Sequence, residues 1–107
     1  MLFTGLTVTF LKQFGWGLWL TLPLWGSLGV LIALLGQAVG RLEGWSGFDS
    51  FYWSFITATT VGYGDLRPLG RKARLVAVAI ALLGLTLSGI IIAVAVQAAT
   101  LALGVHR

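Results

Sequence analysis

The chain has no cysteine and few charged residues, and both features restrict the classes of protein to which it can belong. Without cysteine, disulfide bonds and thiolate metal sites are excluded. Charged residues make up 9% of the 107 residues, against about 25% in soluble globular domains, whereas hydrophobic residues make up 58%. The single histidine, His106, has no ligand partner near it in the sequence. This composition indicates a membrane protein of at most one domain.

The residues also contain no catalytic constellation and no nucleic-acid motif. We therefore expect neither an enzyme nor a nucleic-acid binder, and we expect no cofactor. The net charge of +4 comes from basic residues that flank apolar runs, so anionic lipid headgroups are the expected partners.

Two long runs carry no charge. The first, residues 16–40, predicts an outer transmembrane helix, because about 25 residues at about 1.5 Å each are enough to cross a bilayer. The second begins at Leu75 and predicts, with the basic residues before it, an inner helix over 71–103. Pro23 is expected to kink the outer helix. Residues 1–15 predict either an interfacial helix or a frayed arm.

Between these runs, residues 48–59 predict a helix of about 18 Å, which is too short to cross a bilayer. Asp49 lies in its first turn, where a carboxylate suits the positive end of the helix dipole. A helix can stop halfway through a membrane only if protein surrounds it, and its carbonyl end then favours a cation at the membrane centre. The short helix is therefore predicted to be re-entrant.

The hexapeptide Thr60-Val61-Gly62-Tyr63-Gly64-Asp65, which we call the signature segment, follows this helix directly. Gly62 and Gly64 can adopt positive φ at little steric cost. Alternation with Val61 and Tyr63 allows successive carbonyl groups to face the same way. A row of carbonyl oxygens can replace the water shell of a cation, and extended backbone is tolerated in a membrane where it lines such a path.

The run from Ser54 to Asp65, SFITATTVGYGD, resembles the pore loop and signature sequence of tetrameric potassium channels. The flanking runs resemble the two helices of the minimal two-helix prokaryotic members. The resemblance implies an all-α membrane protein in which two transmembrane helices flank a re-entrant pore helix and a selectivity filter, assembled as a homotetramer. It implies potassium binding at Thr60, Val61, Gly62 and Tyr63, with Gly64 completing the filter.

The same resemblance assigns supporting roles around the filter. Tyr52 and Trp53 belong to an aromatic cuff in which Trp53 packs toward Tyr63, Thr59 precedes the filter, and Asp65 lies at its outer mouth. Some bacterial relatives carry a glutamate where this chain has Ile56, so their pairing of that glutamate with the aspartate cannot form here. Tyr52 remains available as a hydrogen-bond donor to Asp65.

On the inner helix, Gly84 matches the hinge glycine of the family, and Gly89 matches a second small residue where helices approach closely. Bending at glycine is physically easy, but close helix packing through small residues is a serious alternative. A stripe with a spacing of four residues is the expected lining of the cavity and gate, together with two neighbouring positions: Ser88, Ile92, Val96 and Thr100, with Ala93 and Gln97.

The charges disagree with the orientation that the family implies. With the filter outside and both termini cytoplasmic, Lys12 and Arg107 lie inside, but most basic residues lie outside, against the positive-inside tendency. We favour the orientation that the pore architecture implies over the one that the charges imply. A re-entrant helix and filter have a fixed direction across the membrane, whereas the charge distribution only biases that direction. The outer cluster Arg71, Lys72 and Arg74 is then expected to contact anionic headgroups.

The prediction is a channel that conducts potassium passively across a membrane, by resemblance a prokaryotic plasma membrane. Four alternatives stay open: a weakly selective cation channel, the pore module of a larger voltage- or ligand-gated channel, a potassium transporter subunit, and a structural two-helix protein. The run Val61–Gly64 argues against weak selectivity. A transporter subunit usually keeps one filter glycine in each of several loops, and a structural protein leaves the signature segment unexplained.

Overall fold

The computed structural model describes residues 2–105, and this part of the chain is helical with one extended loop. Its elements are α1 (Leu2–Leu20), α2 (Leu22–Glu43), α3 (Gly47–Ala58) and α4 (Arg71–Val105). By length and apolar composition, α2 and α4 are the helices in this range that can cross a membrane. His106 and Arg107 lie outside the described residues.

The first half of the chain differs from the sequence prediction. Instead of an arm over 1–15 and a helix over 16–40, one helix ends at Leu20 and a second begins at Leu22. Pro23 lies in the first turn of α2, where its missing N–H and its fixed φ suit a helix start better than a helix interior. α2 then continues to Glu43 and closes on Gly44, whose φ is 75°.

Residues 2–15 form neither a frayed arm nor a separate surface helix, because α1 packs along the C-terminal half of α4. Gly17 lies against Val94, and nearer the chain start Leu6 and Phe10 line a cavity with Leu103. These contacts show that the two helices run antiparallel. The extended α1 thus continues the outer layer of the molecule beyond α2.

At the interruption around Thr21, a side chain supplies a hydrogen bond to the end of α1: the Trp25 indole Nε1 donates to the Leu18 carbonyl at 2.8 Å. The Gly17 carbonyl accepts from the Thr21 N–H at 3.0 Å and also from the Thr21 hydroxyl at 2.7 Å. In an apolar environment such replacement partners are what make a helix break tolerable.

α2 and α3 interlock through small residues. A Cβ built on Gly36 would lie 2.9 Å from the Ser54 Oγ, and one built on Gly40 would lie 2.7 Å from the Ser50 Cβ. Both serines are fully buried; the Ser50 hydroxyl donates to the carbonyl of Ser46, which precedes α3, and the Ser54 hydroxyl donates to the Phe51 carbonyl. The four-residue spacing of small residues on each helix was the available sequence signal for this contact.

The other side of α3 packs on α4. A Cβ on Gly84 would lie 2.6 Å from the carbonyl carbon of Ala58, so the two backbones touch at the end of α3. The surrounding core is apolar and draws on all three helices: Ile32, Val39, Trp53, Ala58, Ala73, Ile80 and Leu87. α3 is therefore held closely between two helices: its serines contact glycines of α2, and its last turn contacts the backbone of α4.

We expect Gly40→Ala to lower the free energy of unfolding by about 1–3 kcal/mol, because the added methyl group overpacks the contact with Ser50. Unfolding in mixed micelles, followed by far-UV circular dichroism, measures the change. Gly29→Ala is the matched control, since no atom of another described helix lies within 4 Å of its Cβ position. Adding Ser50→Gly to Gly40→Ala should recover stability, and wild-type stability of Gly40→Ala alone would contradict the interlock.

Candidate functional site

The start of α3 is fixed by hydrogen bonds from the loop and from α2. The Ser46 hydroxyl accepts from the Asp49 N–H at 3.1 Å and caps the helix, and Asp49 lies in the first turn as expected. The Gln37 side chain donates to the Gly47 carbonyl at 3.0 Å. Together these bonds fix the start of α3 relative to α2, and therefore also the position where α3 ends and the signature segment begins.

The backbone of the signature segment alternates in handedness. Thr60, Gly62 and Gly64 have φ values of 65°, 54° and 81°, and Val61 and Tyr63 separate them. Positive φ at the two glycines agrees with the sequence prediction. An alternation of this kind is the backbone pattern that lets successive carbonyl groups face one side.

Positive φ at Thr60 was not foreseen from the sequence. For a β-branched residue this conformation costs about 1–3 kcal/mol and persists only where surrounding contacts enforce it. The only sequence signal was position, since Thr60 lies two residues before Gly62 as Gly62 lies two before Gly64. Strain of this kind concentrates at functional sites.

Two backbone hydrogen bonds tie the segment to the C-terminal end of α3. The Thr60 N–H donates to the Thr57 carbonyl at 3.1 Å, and the Gly62 N–H donates to the Ile56 carbonyl at 3.2 Å. Ile56 thus supports the segment through its backbone. The first residues of the segment therefore lie beside the negative end of the α3 dipole, which favours a cation.

Within this one chain the signature segment is open. Thr59 to Asp65 are all exposed, with Val61 at 50% and Tyr63 at 70% exposure. Removing apolar and aromatic side chains of this size from water lowers the free energy of the protein. In a single chain these side chains therefore stay uncovered.

The aromatic cuff differs in part from the expectation. Trp53 is buried, but its ring packs on Trp45 with centroids 5.3 Å apart and an interplanar angle of 59°. Within the chain it does not pack toward Tyr63, which stays largely exposed. The difference arises because Trp45, in the loop before α3, covers the face of the helix that carries Trp53.

Tyr52 makes the contact that the sequence left open. Desolvation of its hydroxyl, followed by hydrogen bonding toward Asp65 and the negative charge of that residue, raises the pKa of Tyr52 above its ordinary value. A phenol that donates to a carboxylate resists ionisation, because the phenolate would repel that carboxylate. Tyr52 thereby links α3 to the end of the signature segment.

Glu43 is a functional candidate that sequence reasoning missed. Its carboxylate accepts hydrogen bonds from the backbone N–H groups of Leu69 and Gly70, at the start of α4. A carboxylate there satisfies free donors and suits the positive end of the helix dipole. The bond joins the end of α2 to the chain that leaves the signature segment.

The two inner-helix glycines differ in their surroundings. Gly84 is buried against Ala58, so close packing is shown there, and a hinge at Gly84 stays a prediction. At Gly89, where a close approach was expected, no other part of the described chain lies within 4 Å of a built Cβ. α4 is one continuous helix through both positions.

The expected cavity-lining residues lie on the less covered side of α4. Ser88 is half-buried, and the others are exposed: Ile92, Ala93, Val96, Gln97 and Thr100. Ala93 and Gln97 also line an open cavity of about 460 Å³ between α4 and α1, together with Trp16 and Leu20. These two positions thus lie beside α1, on the flank of the predicted stripe.

Comparison with known proteins identifies a family for this chain. The model of a family described as "Ion channel" matches residues 1–100, which is nearly the whole chain. No solved structure matches it.

Several curated potassium channels are similar over shorter stretches. TWiK family of potassium channels protein 7 of Caenorhabditis elegans is 54% identical over 50 residues, covering 44% of this chain and 9% of that protein. Putative potassium channel protein YugO of Bacillus subtilis is 42% identical over 65 residues, with coverages of 51% and 20%. A voltage-gated potassium channel of Aeropyrum pernix is 41% identical over 39 residues, with coverages of 36% and 13%. The chain therefore spans a small part of these relatives' length.

The hydrogen bond between Tyr52 and Asp65 can be tested by titration, because the chain has only two tyrosines. In a Tyr63→Phe background, the phenol absorbance of Tyr52 should titrate above the ordinary tyrosine pKa, since burial and Asp65 both disfavour the phenolate. Adding Asp65→Asn should move that pKa downward. Asp49→Asn in the same background is the control and should leave it unchanged, whereas an unshifted pKa after Asp65→Asn would contradict the contact.

Proposed function

Because the chain belongs to the ion channel family, we propose that it conducts potassium ions passively through a pore lined by backbone carbonyl groups. The observation that carries this proposal is the alternation of positive φ at Thr60, Gly62 and Gly64 at the C-terminal end of a short helix. The similarity to named potassium channels supports the choice of ion. Conduction of this kind forms no covalent bond and needs no cofactor besides the permeant ion.

In the proposed mechanism, a potassium ion loses its water as carbonyl oxygens of Thr60, Val61, Gly62 and Tyr63 replace it, with the Thr60 hydroxyl at one end. The dipole of α3 stabilises the ion that approaches this end. Each ion leaves because the next one repels it. Sodium is held less favourably by the same oxygens, which makes the pore selective.

We propose further that four copies surround the pore as a homotetramer of the two-helix type, since one signature segment cannot enclose an ion. The exposure of Val61 and Tyr63 in a single chain supports this assembly. In it α3 is re-entrant, the filter faces outward and the termini face the cytoplasm of a prokaryote. The alternative that the chain is the pore module of a larger gated channel is favoured by the much greater length of its relatives.

The first turn of α4 is the proposed contact with anionic lipid headgroups. Arg71, Lys72 and Arg74 are all exposed there, although cations oppose the positive end of a helix dipole. Glu43 occupies this end of α4, and the Arg74 Nε donates to the Pro68 carbonyl at 3.3 Å. The remaining positive charge is best balanced by an anion from outside the chain.

Neutralising the cluster as Arg71→Gln, Lys72→Gln and Arg74→Gln should remove the stabilisation that anionic lipid provides, at about 1 kcal/mol per cation. Thermal stability in vesicles of increasing phosphatidylglycerol content is the measurement. The charge-conserving control, Arg71→Lys with Arg74→Lys, should keep the lipid dependence. An unchanged dependence in the neutralised variant would sink this proposal.

The proposed function is tested by the reversal potential of proteoliposomes under opposed potassium and sodium gradients. We expect a value near the potassium equilibrium potential for the wild type, and block by barium. Gly64→Ala should shift it toward zero, because alanine resists the positive φ that the carbonyl row needs. Gly44→Ala is the matched control: its φ of 75° carries similar strain outside the site. A wild-type potential near zero with robust current would refute potassium selectivity.

A further inference from the structure

An open cavity lies between α1 and α4, beyond the point where α3 meets Gly84. Its volume is about 460 Å³, and facing stripes of the two helices form its walls around the contact of Gly17 with Val94. Most of the side chains in these walls are apolar. Protein sites for small molecules occupy roughly 300–1,000 Å³, so the cavity has room for one slender ligand.

Two glutamine side chains line one end of this cavity, away from Thr21 and Ile90 at its other end. Gln13 comes from α1 and Gln97 from α4, and the antiparallel packing of the two helices places them at one level. No hydrogen bond joins either carboxamide to another residue in the described part of the chain. A carboxamide beside apolar surface gains free energy from a hydrogen-bonding partner. Both groups are therefore available to a ligand.

Lys12 and the neighbouring tryptophans place this end of the cavity at a membrane boundary. Lys12 is the only charged residue in the range 2–40, and it lies one helical turn before Trp16 on the same face of α1. The helices between Trp19 and Arg41 are about 33 Å long, close to the roughly 30 Å of a hydrocarbon core. Tryptophan and lysine favour the boundary of that core. The two glutamines therefore lie near headgroup level, and the rest of the cavity faces hydrocarbon.

The charge of Lys12 has no acidic counterpart near it. All three acidic residues lie at the other end of the molecule, with Glu43 ending α2, Asp49 in the first turn of α3 and Asp65 in the signature segment. An isolated cation attracts an anion. The primary amides and the Trp16 indole supply N–H donors at the same end. One cation and several donors beside an apolar cavity match a singly charged anion on an apolar chain.

We propose that the cavity between α1 and α4 binds a free fatty acid. The carboxylate accepts hydrogen bonds from the amides of Gln13 and Gln97 and is balanced by the ammonium group of Lys12. The chain extends along the apolar walls toward Thr21 and Ile90. The proposal concerns binding alone and does not depend on the proposed channel function.

The shape of the cavity favours a single chain over the two chains of a phospholipid. Only two helices enclose it, and the Val94 Cγ1 lies 2.7 Å from the position that a Cβ of Gly17 would occupy. The helices would have to lose this contact to admit a second chain. A single chain keeps it and gains dispersion contacts with both walls.

Quenching of tryptophan fluorescence tests the location of the site. Trp16 lines the cavity, whereas Trp19 does not, although their exposures of 60% and 67% are similar. Bromine-labelled stearate, added to the protein in phosphatidylcholine vesicles, should quench the fluorescence with saturation. Trp16→Phe should remove the saturable part, and the matched control Trp19→Phe should keep it. Quenching without saturation, equal to that by brominated phosphatidylcholine at the same bromine content, would overturn the proposal.

The contacts with the carboxylate are tested by comparing the acid with its methyl ester. The wild type should bind the ester about tenfold more weakly, because the ester lacks the charge that strengthens the hydrogen bonds. Gln13→Leu with Gln97→Leu should weaken binding of the acid about tenfold, and Lys12→Gln should weaken it severalfold. Far-UV circular dichroism checks that these variants remain helical.

Equal affinities of the wild type for acid and ester would refute the proposed site without recourse to any variant. Wild-type affinity for the acid in the double glutamine variant would also refute it. None of these measurements involves ion flux, so their outcome is separate from that of the reversal potential.

Discussion

Close contact of α3 with its two neighbouring helices at three glycines is the constraint on which the rest of the molecule depends. Gly36 and Gly40 admit the serines of α3, and Gly84 admits the backbone at its end. A side chain at any of these positions would push α3 away from a long helix. Because α3 carries the signature segment directly on its C-terminal end, its position determines where that segment lies.

The backbone conformation of the signature segment depends on the position of α3, because the segment is hydrogen-bonded to the end of that helix. Thr60 is held at positive φ although its branched side chain disfavours it, and the hydrogen bonds from Thr60 and Gly62 back to α3 help to hold it there. Tyr52 and Glu43 restrain the outgoing chain from two other sides. A strained backbone with free carbonyl oxygens is what a cation site needs, since relaxed carbonyls would bond within the protein.

The same residue type serves opposite purposes along this chain. At Gly84 the missing side chain lets two helices touch, whereas at Gly89 no other part of the described chain lies within 4 Å of the Cβ position, and glycine there makes the helix easier to bend. In the signature segment glycine supplies φ values that other residues resist. Composition counts all of these as glycine, but they act on packing, flexibility and backbone handedness respectively.

Much of the fold and of the candidate site followed from local properties. Charge-free runs of sufficient length predicted that two long apolar helices exist, although the bounds of the first were wrong, and a short run predicted the position of α3 within one residue at each end. Positive φ at Gly62 and Gly64 followed from the freedom of glycine itself. These features depend on neighbours in the sequence, so the sequence by itself determined them.

Other features depend on which helix faces which, and only the tertiary structure decided them. Residues 2–20 became a packed helix because α4 offers an apolar surface beyond the end of α2. Trp53 packs on Trp45 and not on Tyr63. Glu43 accepts a hydrogen bond from the Leu69 N–H, which lies 26 residues further along the chain, just before α4. Helix periodicity specifies which residues share a face but not the rotation and depth at which that face meets another. Those two quantities are set by packing of the whole chain, because every close contact must be satisfied at once.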